Sequence, residues 1–289
     1  MSIILGDNRY GKAETHLVRV DRGHGAHELA DLTVSVALSG DFESVHLTGD
    51  NSNVLPTDSQ KNTVFAFAQE GVGEIEEFGL RLARHFAGSY APIREARVAI
   101  QQHSWQRLSV DGTPHPHAFA RGGTEMRLAT VTASESEVWV VAGLTELTVL
   151  KTTGSEFWGF LKDRYTTLPE TQDRILATSV TARWRYATAE VDHAACFATA
   201  RSRLLETFAE VHSLSLQQTL YDMGRAVLAS LPEVAEIRLA MPNKHHFLVD
   251  LSPFALNNQD EVYYAADRPY GLIEGSLVRD GAPPPGRAW

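Results

Sequence analysis

A short internal repeat constrains the fold more than any other feature of this sequence. The segment EARVAI at residues 95–100 resembles EIRLAM at residues 236–241. Each segment follows a proline, Pro92 or Pro232, and an apolar pattern with helical spacing precedes each proline. Because the order of helix, proline and strand occurs twice, the repeat predicts two tandem copies of one α+β unit.

Apolar periodicity extends this prediction to the other elements. Residues 32–38 and 180–186 alternate apolar with other side chains, which is typical of strands with one buried face in an antiparallel sheet. Helical spacing predicts apolar faces at 75–86, 192–211 and 216–231, and a fourth helix is expected to start at Asp58. Each unit then reads strand, strand, helix, helix, strand, strand.

The repeat also gives predicted boundaries. The first unit is placed at residues 1–143 and the second at 144–279, with the junction inside 138–153 near Gly143. Residues 280–289, DGAPPPGRAW, predict a flexible Pro-rich tail. A sheet with helices on one face leaves its other face uncovered, and a partner subunit could cover it.

Composition excludes several classes of function. The 289 residues include 26 Lys and Arg against 36 Asp and Glu, and the formal charge of −10 argues against nucleic-acid or anionic-membrane partners. The single cysteine excludes an intrachain disulfide and any CxxC site. Without a signal peptide, a long apolar run or a terminal Ser-Lys-Leu, a cytoplasmic protein is expected.

Histidines with the spacing of metal ligands occur twice. His24 and His27 flank a Gly-Ala pair, and His115 and His117 flank a proline. Both stretches are interpreted as loops, because their Gly and Pro residues favour turns over ligand-bearing helices. No metal site is therefore predicted.

Three polar stretches allow either a structural or a functional reading. Lys12, beside a glycine, is either a solvated charge or a base. Thr57 and Gln60 match a capping box, yet a helix start also offers free N–H groups to an anion. Asn243 and His245 alternate and thus share one face, in the core or in a site.

Five motifs together resemble one family. They are LTVLKTTGSEFWGF at 147–160 with Tyr165, Leu168 and Arg174 beyond it, YGK at 10–12, TDSQKNT at 57–63, SLQQT at 215–219 and PNKHHF at 242–247. Their order and spacing are similar to those of the urate oxidases, or uricases, from about residue 8 to residue 275. Five motifs in register are far more specific than any one of them.

The resemblance implies a tunnelling fold (T-fold), in which two tandem antiparallel sheet units each carry a helix pair. Oligomerisation completes the barrel, and two barrels form a homotetramer with active sites at subunit interfaces. The implied reaction oxidises urate with O₂ and water to 5-hydroxyisourate and hydrogen peroxide, without a metal or an organic cofactor.

The resemblance also assigns catalytic roles. Lys12, Thr57 and His245 would form a proton relay in which neutral Lys12 draws a proton from urate through Thr57. Asn243 and Thr57 would hold O₂, and later water, above the purine ring. The substrate dianion would then supply the electrons that a cofactor usually supplies.

Urate itself is a flat anion, and the implied binding residues suit it. Arg174 would contribute a bidentate fork and Gln217 an amide on the opposite edge. Phe157 would stack on the ring. Leu216 and Asp58 would donate backbone N–H groups, with Asp58 and Thr57 coming from the neighbouring subunit.

Two other classes of function stay open from the residues alone. A zinc-dependent tunnelling-fold enzyme acting on pterins would need clustered histidine ligands. A non-catalytic purine-binding protein would need the binding residues but not the relay.

Overall fold

One antiparallel sheet of eight strands runs through the computed structural model, which describes residues 3–23, 25–266 and 268–289. A two-stranded sheet accompanies it. The strands are β1 (Tyr10–Asp21), β2 (Glu28–Gly40), β3 (Ile93–Val110), β4 (Thr113–Ser134), β5 (Val138–Lys151), β6 (Leu176–Tyr186), β7 (Val234–Lys244), β8 (His246–Leu248), β9 (Tyr263–Ala265) and β10 (Gly271–Val278). The order in the large sheet is β1-β2-β3-β4-β5-β6-β7-β10, so β1 and β10 form its two edges.

Two helix pairs accompany the two halves of the sheet. They are α2 (Thr57–Glu70) with α3 (Ile75–Ser89), and α4 (His193–Glu210) with α5 (Leu216–Ser230); a short α1 (Glu43–Leu47) precedes α2. Each half therefore has two strands, two long helices and two strands, as the repeat predicts. The α+β class is confirmed.

The core lies between the helices and one face of the sheet. Residues predicted to be buried by alternation in β2 and β6, such as Val34 and Trp184, are buried. The apolar faces of α3 and α5, such as Phe78 and Met223, are buried as well. The one-sided burial that produced the period-2 and period-3.6 patterns is thus observed directly.

Strand β5 joins the two halves without a break in the sheet. It pairs with β4 through residues 138–145 and with β6 through residues 141–151. A bulge lies between Leu144 and Leu147, where Glu146 has a φ of 59°. Because the hydrogen-bonded sheet is continuous here, the division of the chain after residue 143 stays a prediction.

The loop interpretation of His115 and His117 is wrong. Both residues lie in β4, and the reversal of the chain occurs earlier, at Asp111 and Gly112. These two residues have φ values of 50° and 78°, which suit a two-residue hairpin turn. Of the other pair, His24 lies outside the described residues.

The C-terminal segment packs across the sheet instead of extending away from it. Arg97 of β3 donates to the carbonyls of Arg287 and Ala288, at 3.3 and 3.1 Å. Trp289 donates to the carboxylate of Glu236 at 3.2 Å. Residues 280–289 contain no helix or strand, consistent with their proline content, but side chains from both halves of the sheet bind them.

Candidate functional site

Lys12 lies on the edge strand β1, immediately before a β-bulge. Lys12 pairs with Val36 and Thr15 pairs with Val34, so two residues of β1 stand opposite Ser35 alone. The N–H of Glu14, whose φ is 54°, donates to Ser35 Oγ at 2.9 Å. Bulges re-aim neighbouring side chains and often lie beside active sites.

Tyr10 connects this strand to the start of α2. Its hydroxyl accepts from the N–H of Leu55 at 2.9 Å and donates to the Leu55 carbonyl at 3.1 Å. The residue between Tyr10 and Lys12 must be glycine, because a Cβ on Gly11 would lie 1.8 Å from the carbonyl oxygen of Val36. The YGK motif therefore fixes the helix start relative to Lys12.

The predicted capping box at Thr57 and Gln60 is wrong. Thr57 is the first helical residue, and the preceding Pro56 has no side-chain hydrogen bond to the helix start. The Gln60 side chain is buried and donates to the Leu55 carbonyl instead. Pro56 occupies the position that a capping Ser or Thr needs, so the first N–H groups of α2 have no side-chain cap and can reach a ligand.

Asp58 in the same first turn is exposed. Its carboxylate accepts from Lys61 and from Asn62. The hydrogen bond and charge of Lys61 lower the pKa of Asp58, and Lys12 adds a weaker attraction. Lys12 and the α2 start therefore belong to one group of residues, called here the first-half group.

A second group gathers around Arg174. Its guanidinium carbon lies 5.3 Å from the centre of the Phe157 ring, and Phe160 stacks on Phe157 at 4.9 Å. Among the described residues, the buried Arg174 Nε has no hydrogen-bond partner and no carboxylate pairs with the guanidinium, and burial lowers the pKa of Arg174. A half-buried cation of this kind beside an aromatic face suits a flat anionic ligand.

The carboxylate of Asp173, the residue next to Arg174, does not pair with the Arg174 guanidinium. Its two oxygens accept from the Thr153 hydroxyl, from the Gly154 N–H and from the backbone N–H of Arg174, at 2.8, 3.1 and 3.0 Å. The carboxylate thus fixes the backbone around Phe157 and Arg174 instead of neutralising Arg174.

The start of α5 is tied to the Phe157 segment. The N–H of Glu156 donates to the Ser213 carbonyl at 2.8 Å, and the N–H of Ser213 donates to the Gly154 carbonyl at 2.9 Å. Leu216 and Gln217 occupy the first turn of α5, which Ser215 caps. Leu216 is buried and Gln217 is exposed, so the backbone of the first and the side-chain amide of the second can serve a ligand.

His245 and Asn243 complete this second group. It is called here the second-half group and consists of Phe157, Arg174, Leu216, Gln217, Asn243 and His245. Asn243 lies on β7 between Thr178 of β6 and Gly271 of β10, and His245 directly follows the strand. Burial lowers the pKa of His245, and the positive charge of Arg174 lowers it further. The imidazole is therefore kept neutral, the state in which one nitrogen donates a hydrogen bond and the other accepts one.

The structure does not bring the two groups together. Lys12 is on β1 and Asn243 on β7, six strand spacings apart, which is up to about 29 Å at roughly 4.8 Å per spacing. Within the ranges described, no hydrogen bond or ion pair joins the first-half group to the second-half group. The residues predicted to form one site therefore lie in two separate groups near opposite edges of the sheet.

Two contributors to this arrangement were missed by sequence reasoning. The YGK motif gives no role to Tyr10, and no motif points to Asp173. A tyrosine three residues from a bulge and an aspartate beside Arg174 give no periodic signal, because their partners are backbone groups distant in sequence.

Comparison with known proteins gives one consistent result. The family model described as Uricase matches residues 8–132 and 140–274. The uricase of Arthrobacter globiformis is 55% identical over 280 residues, covering 97% of this chain and 91% of that protein. The uricase of Dictyostelium discoideum is 39% identical, covering 95% and 97%.

Solved structures agree with the sequence relatives. The crystal structure of uricase from Arthrobacter globiformis superposes with a TM-score of 0.95 at 54% identity, covering 100% of this chain and 99% of that one. Urate oxidase from Bacillus sp. TB-90 gives a TM-score of 0.83 at 23% identity, over 94% and 100%, which supports the fold alone. In the described part of the chain, no helix has the length and apolar content required to cross a bilayer.

Proposed function

The chain belongs to the uricase family, and from this premise we propose that it is a urate oxidase whose active site is divided between two copies of the chain. The reaction converts urate, O₂ and water into 5-hydroxyisourate and hydrogen peroxide. The observation that carries this proposal is Arg174, a half-buried guanidinium that lies against an aromatic ring and whose buried Nε has no hydrogen-bond partner among the described residues.

Binding of urate follows from this group. The urate monoanion offers carbonyl and N–H groups along a flat edge, and the Arg174 fork can bind that edge with two charge-assisted hydrogen bonds. The Phe157 ring stacks on the purine. The Gln217 amide, which both donates and accepts, binds the opposite edge together with the backbone N–H of Leu216.

The first-half group and the second-half group are interpreted as two half-sites, and their positions support assembly across sheet edges. Strands β1 and β10 are both edges, and unpaired edge strands are ready to pair with another chain. A second copy that places its β1 beside β10 and β7 of the first would bring Lys12, Thr57 and Asp58 to Arg174 and His245. Each interface then holds complete sites, and stacking of two such dimers gives the homotetramer.

Proton transfer is assigned to residues from both copies. Lys12 takes a proton from bound urate through the Thr57 hydroxyl, and His245 completes the relay. The urate dianion gives two electrons to O₂, which with two protons becomes hydrogen peroxide. Water then adds to the oxidised purine and becomes the hydroxyl of 5-hydroxyisourate, held with O₂ by Asn243 and Thr57.

No metal or organic cofactor is given a role in this scheme, because the dianion is itself the reductant. The alternatives of a zinc-dependent pterin enzyme and a non-catalytic purine-binding protein are not favoured by the relatives, which are named as uricases. A cytoplasmic location, without nucleic-acid or membrane partners, stays a prediction from composition.

One assay tests the proposal. The purified protein, dialysed against a chelator, is mixed with urate in air-saturated buffer, and the near-ultraviolet absorbance of urate and the peroxide released are followed. We expect loss of urate with one peroxide per urate, and no stimulation by added metal. Binding of urate without turnover would contradict the proposed oxidase activity and would instead support a non-catalytic purine-binding protein.

A further inference from the structure

A group of potential metal ligands lies outside the urate site, on three neighbouring strands. His16 on β1 pairs with Thr33 on β2, and Val18 pairs with Asp31. His103 follows Gln102, which pairs with Leu32. Because side chains alternate along a strand, His16, Asp31 and His103 lie on the sheet face opposite to the buried Leu32. Sequence reasoning missed the group, since these residues are far apart in the chain.

Asp31 is the fixed member of this group. Its side chain is only 4% exposed, and its Oδ2 accepts from Trp105 Nε1 at 2.8 Å and from Arg121 at 3.1 Å. Its Oδ1 lies 2.6 Å from Nε2 of His16, whose side chain is 59% exposed. These contacts hold the carboxylate in place.

His103 is oriented but incompletely satisfied. Its Nε2 hydrogen-bonds the Thr33 hydroxyl at 3.0 Å, while its buried Nδ1 has no hydrogen-bond partner among the described residues. A buried ring nitrogen without a partner is unusual and points to an additional ligand.

We propose that His16, Asp31 and His103 bind one divalent transition-metal ion of the Zn²⁺ class. Each residue offers one ligand atom, and these atoms lie within 4.8 Å of one another. Two imidazoles and one carboxylate are a preferred donor set for such ions, with water as the fourth ligand.

Small movements convert the group into a tetrahedral site. Ligand distances of about 2.0–2.2 Å place ligand atoms about 3.3 Å apart. The His16–Asp31 pair must open from 2.6 Å, and the exposed His16 side chain can make that movement. Trp105 and Thr33 would then act as outer partners that orient Asp31 and His103, the arrangement usual around bound metals.

Isothermal titration with ZnCl₂ on the assembled, untagged, chelator-treated enzyme tests the proposal. We expect about one Zn²⁺ per chain, and each of His16→Ala and His103→Ala should weaken binding at least about tenfold. Trp105→Phe, which removes the N–H bound to Asp31 but keeps an aromatic ring, should also weaken binding about tenfold.

The matched control is the double variant His115→Ala/His117→Ala. These rings contact each other at 4.5 Å on β4, and they do not belong to the proposed ligand set. We expect this control to bind Zn²⁺ with unchanged affinity. Urate turnover within about twofold of the parent would show that the His16→Ala and control variants are folded.

Two results would overturn the proposal. One is a Zn²⁺ stoichiometry far below one per chain in the folded parent enzyme. The other is Zn²⁺ affinity that is unchanged in His16→Ala and His103→Ala but is lost in the control variant. That result would place the ion at the His115–His117 pair. Neither result bears on urate oxidation, so the proposed function is tested separately.

Discussion

The two halves of the molecule share one scaffold but contribute different chemistry. Both begin with a bulged strand: Glu14 in β1 and Glu146 in β5 have φ values of 54° and 59°. The connection after β1 covers only residues 22–27, whereas the connection after β5 covers residues 152–175 and carries Phe157 and Arg174. The residues proposed to bind the anion therefore lie on a longer loop of the second half, within the same scaffold.

The starts of α2 and α4, the first long helices of the two halves, also differ. Asp192 caps α4, with its carboxylate accepting from the N–H of Ala195 at 2.9 Å. At α2 the equivalent position is Pro56, which has no such bond, and the first turn stays open beside Lys12. The two halves of the scaffold thus differ in capping: the start of α2 has no side-chain cap, whereas Asp192 caps the start of α4.

Replacement of Lys12 should have the largest effect. Lys12→Met removes the base, and kcat should fall by about 10²–10⁴-fold. Binding of a non-oxidisable urate analogue, measured by isothermal titration, should change little. Lys162→Met, an exposed lysine paired with Glu170, is the matched control. A kcat within about twofold of the parent would exclude Lys12 as the base.

Arg174→Ala tests the second-half group. The guanidinium contacts urate in both the ground and transition states, so the main effect should be on KM, which we expect to rise about 10–100-fold. Steady-state kinetics give the two constants. Arg164→Ala on the same loop, where the side chain lies exposed over Tyr165, should leave KM unchanged. A fall in kcat alone would contradict the binding role.

Co-expression of the Lys12→Met and Arg174→Ala chains tests whether the halves meet across an interface. In random mixed assemblies, about one site in four receives both intact residues from different copies. Activity should therefore reach about a quarter of the parent value, although each variant alone is nearly inactive at low urate. A mixture with no more activity than the two variants would place the whole site within one chain.

The difference in capping between α4 and α2 should appear in the free energy of unfolding of two variants. Asp192→Ala removes a side-chain cap and should lower the free energy of unfolding by about 1 kcal/mol with little loss of activity. Thr57→Val removes no cap, so stability should change by only a few tenths of a kcal/mol while activity is lost. Thermal unfolding and urate turnover measure the two effects. Equal destabilisation by both variants would contradict the asymmetry.

The pH profile should show the smallest effect. Because burial and Arg174 lower the pKa of His245, its protonation requires a lower pH than the usual value near 6.5. The acid limb of kcat/KM that depends on His245 should thus lie below that pH. In Arg174→Gln the charge is gone, so the limb should move to higher pH. A shift to lower pH would contradict this electrostatic link.

Local patterns were sufficient for most of the scaffold. The alternation through Val34 and Trp184 and the helical spacing of Phe78 and Met223 predicted the strands, the helices and the buried faces, because one-sided burial imprints a period on the sequence. The motifs carrying Lys12, Arg174 and His245 also identified the family by themselves.

Other features depended on contacts that no local pattern records. The bulge beside Lys12, the open start of α2 and the Tyr10 bridge to Leu55 depend on backbone partners in other elements. The capping-box prediction failed because the helix begins at Thr57, one residue earlier than the motif assumes, so that Pro56 and not Thr57 is the N-cap.

The sequence by itself therefore determined the α+β class and the family. Only the tertiary structure decided that Lys12 and Arg174 lie in two separated groups, and that His16, Asp31 and His103 meet on one sheet face. The reason is physical: periodicity reports which face of an element is buried, whereas strand order and register decide which distant residues become neighbours.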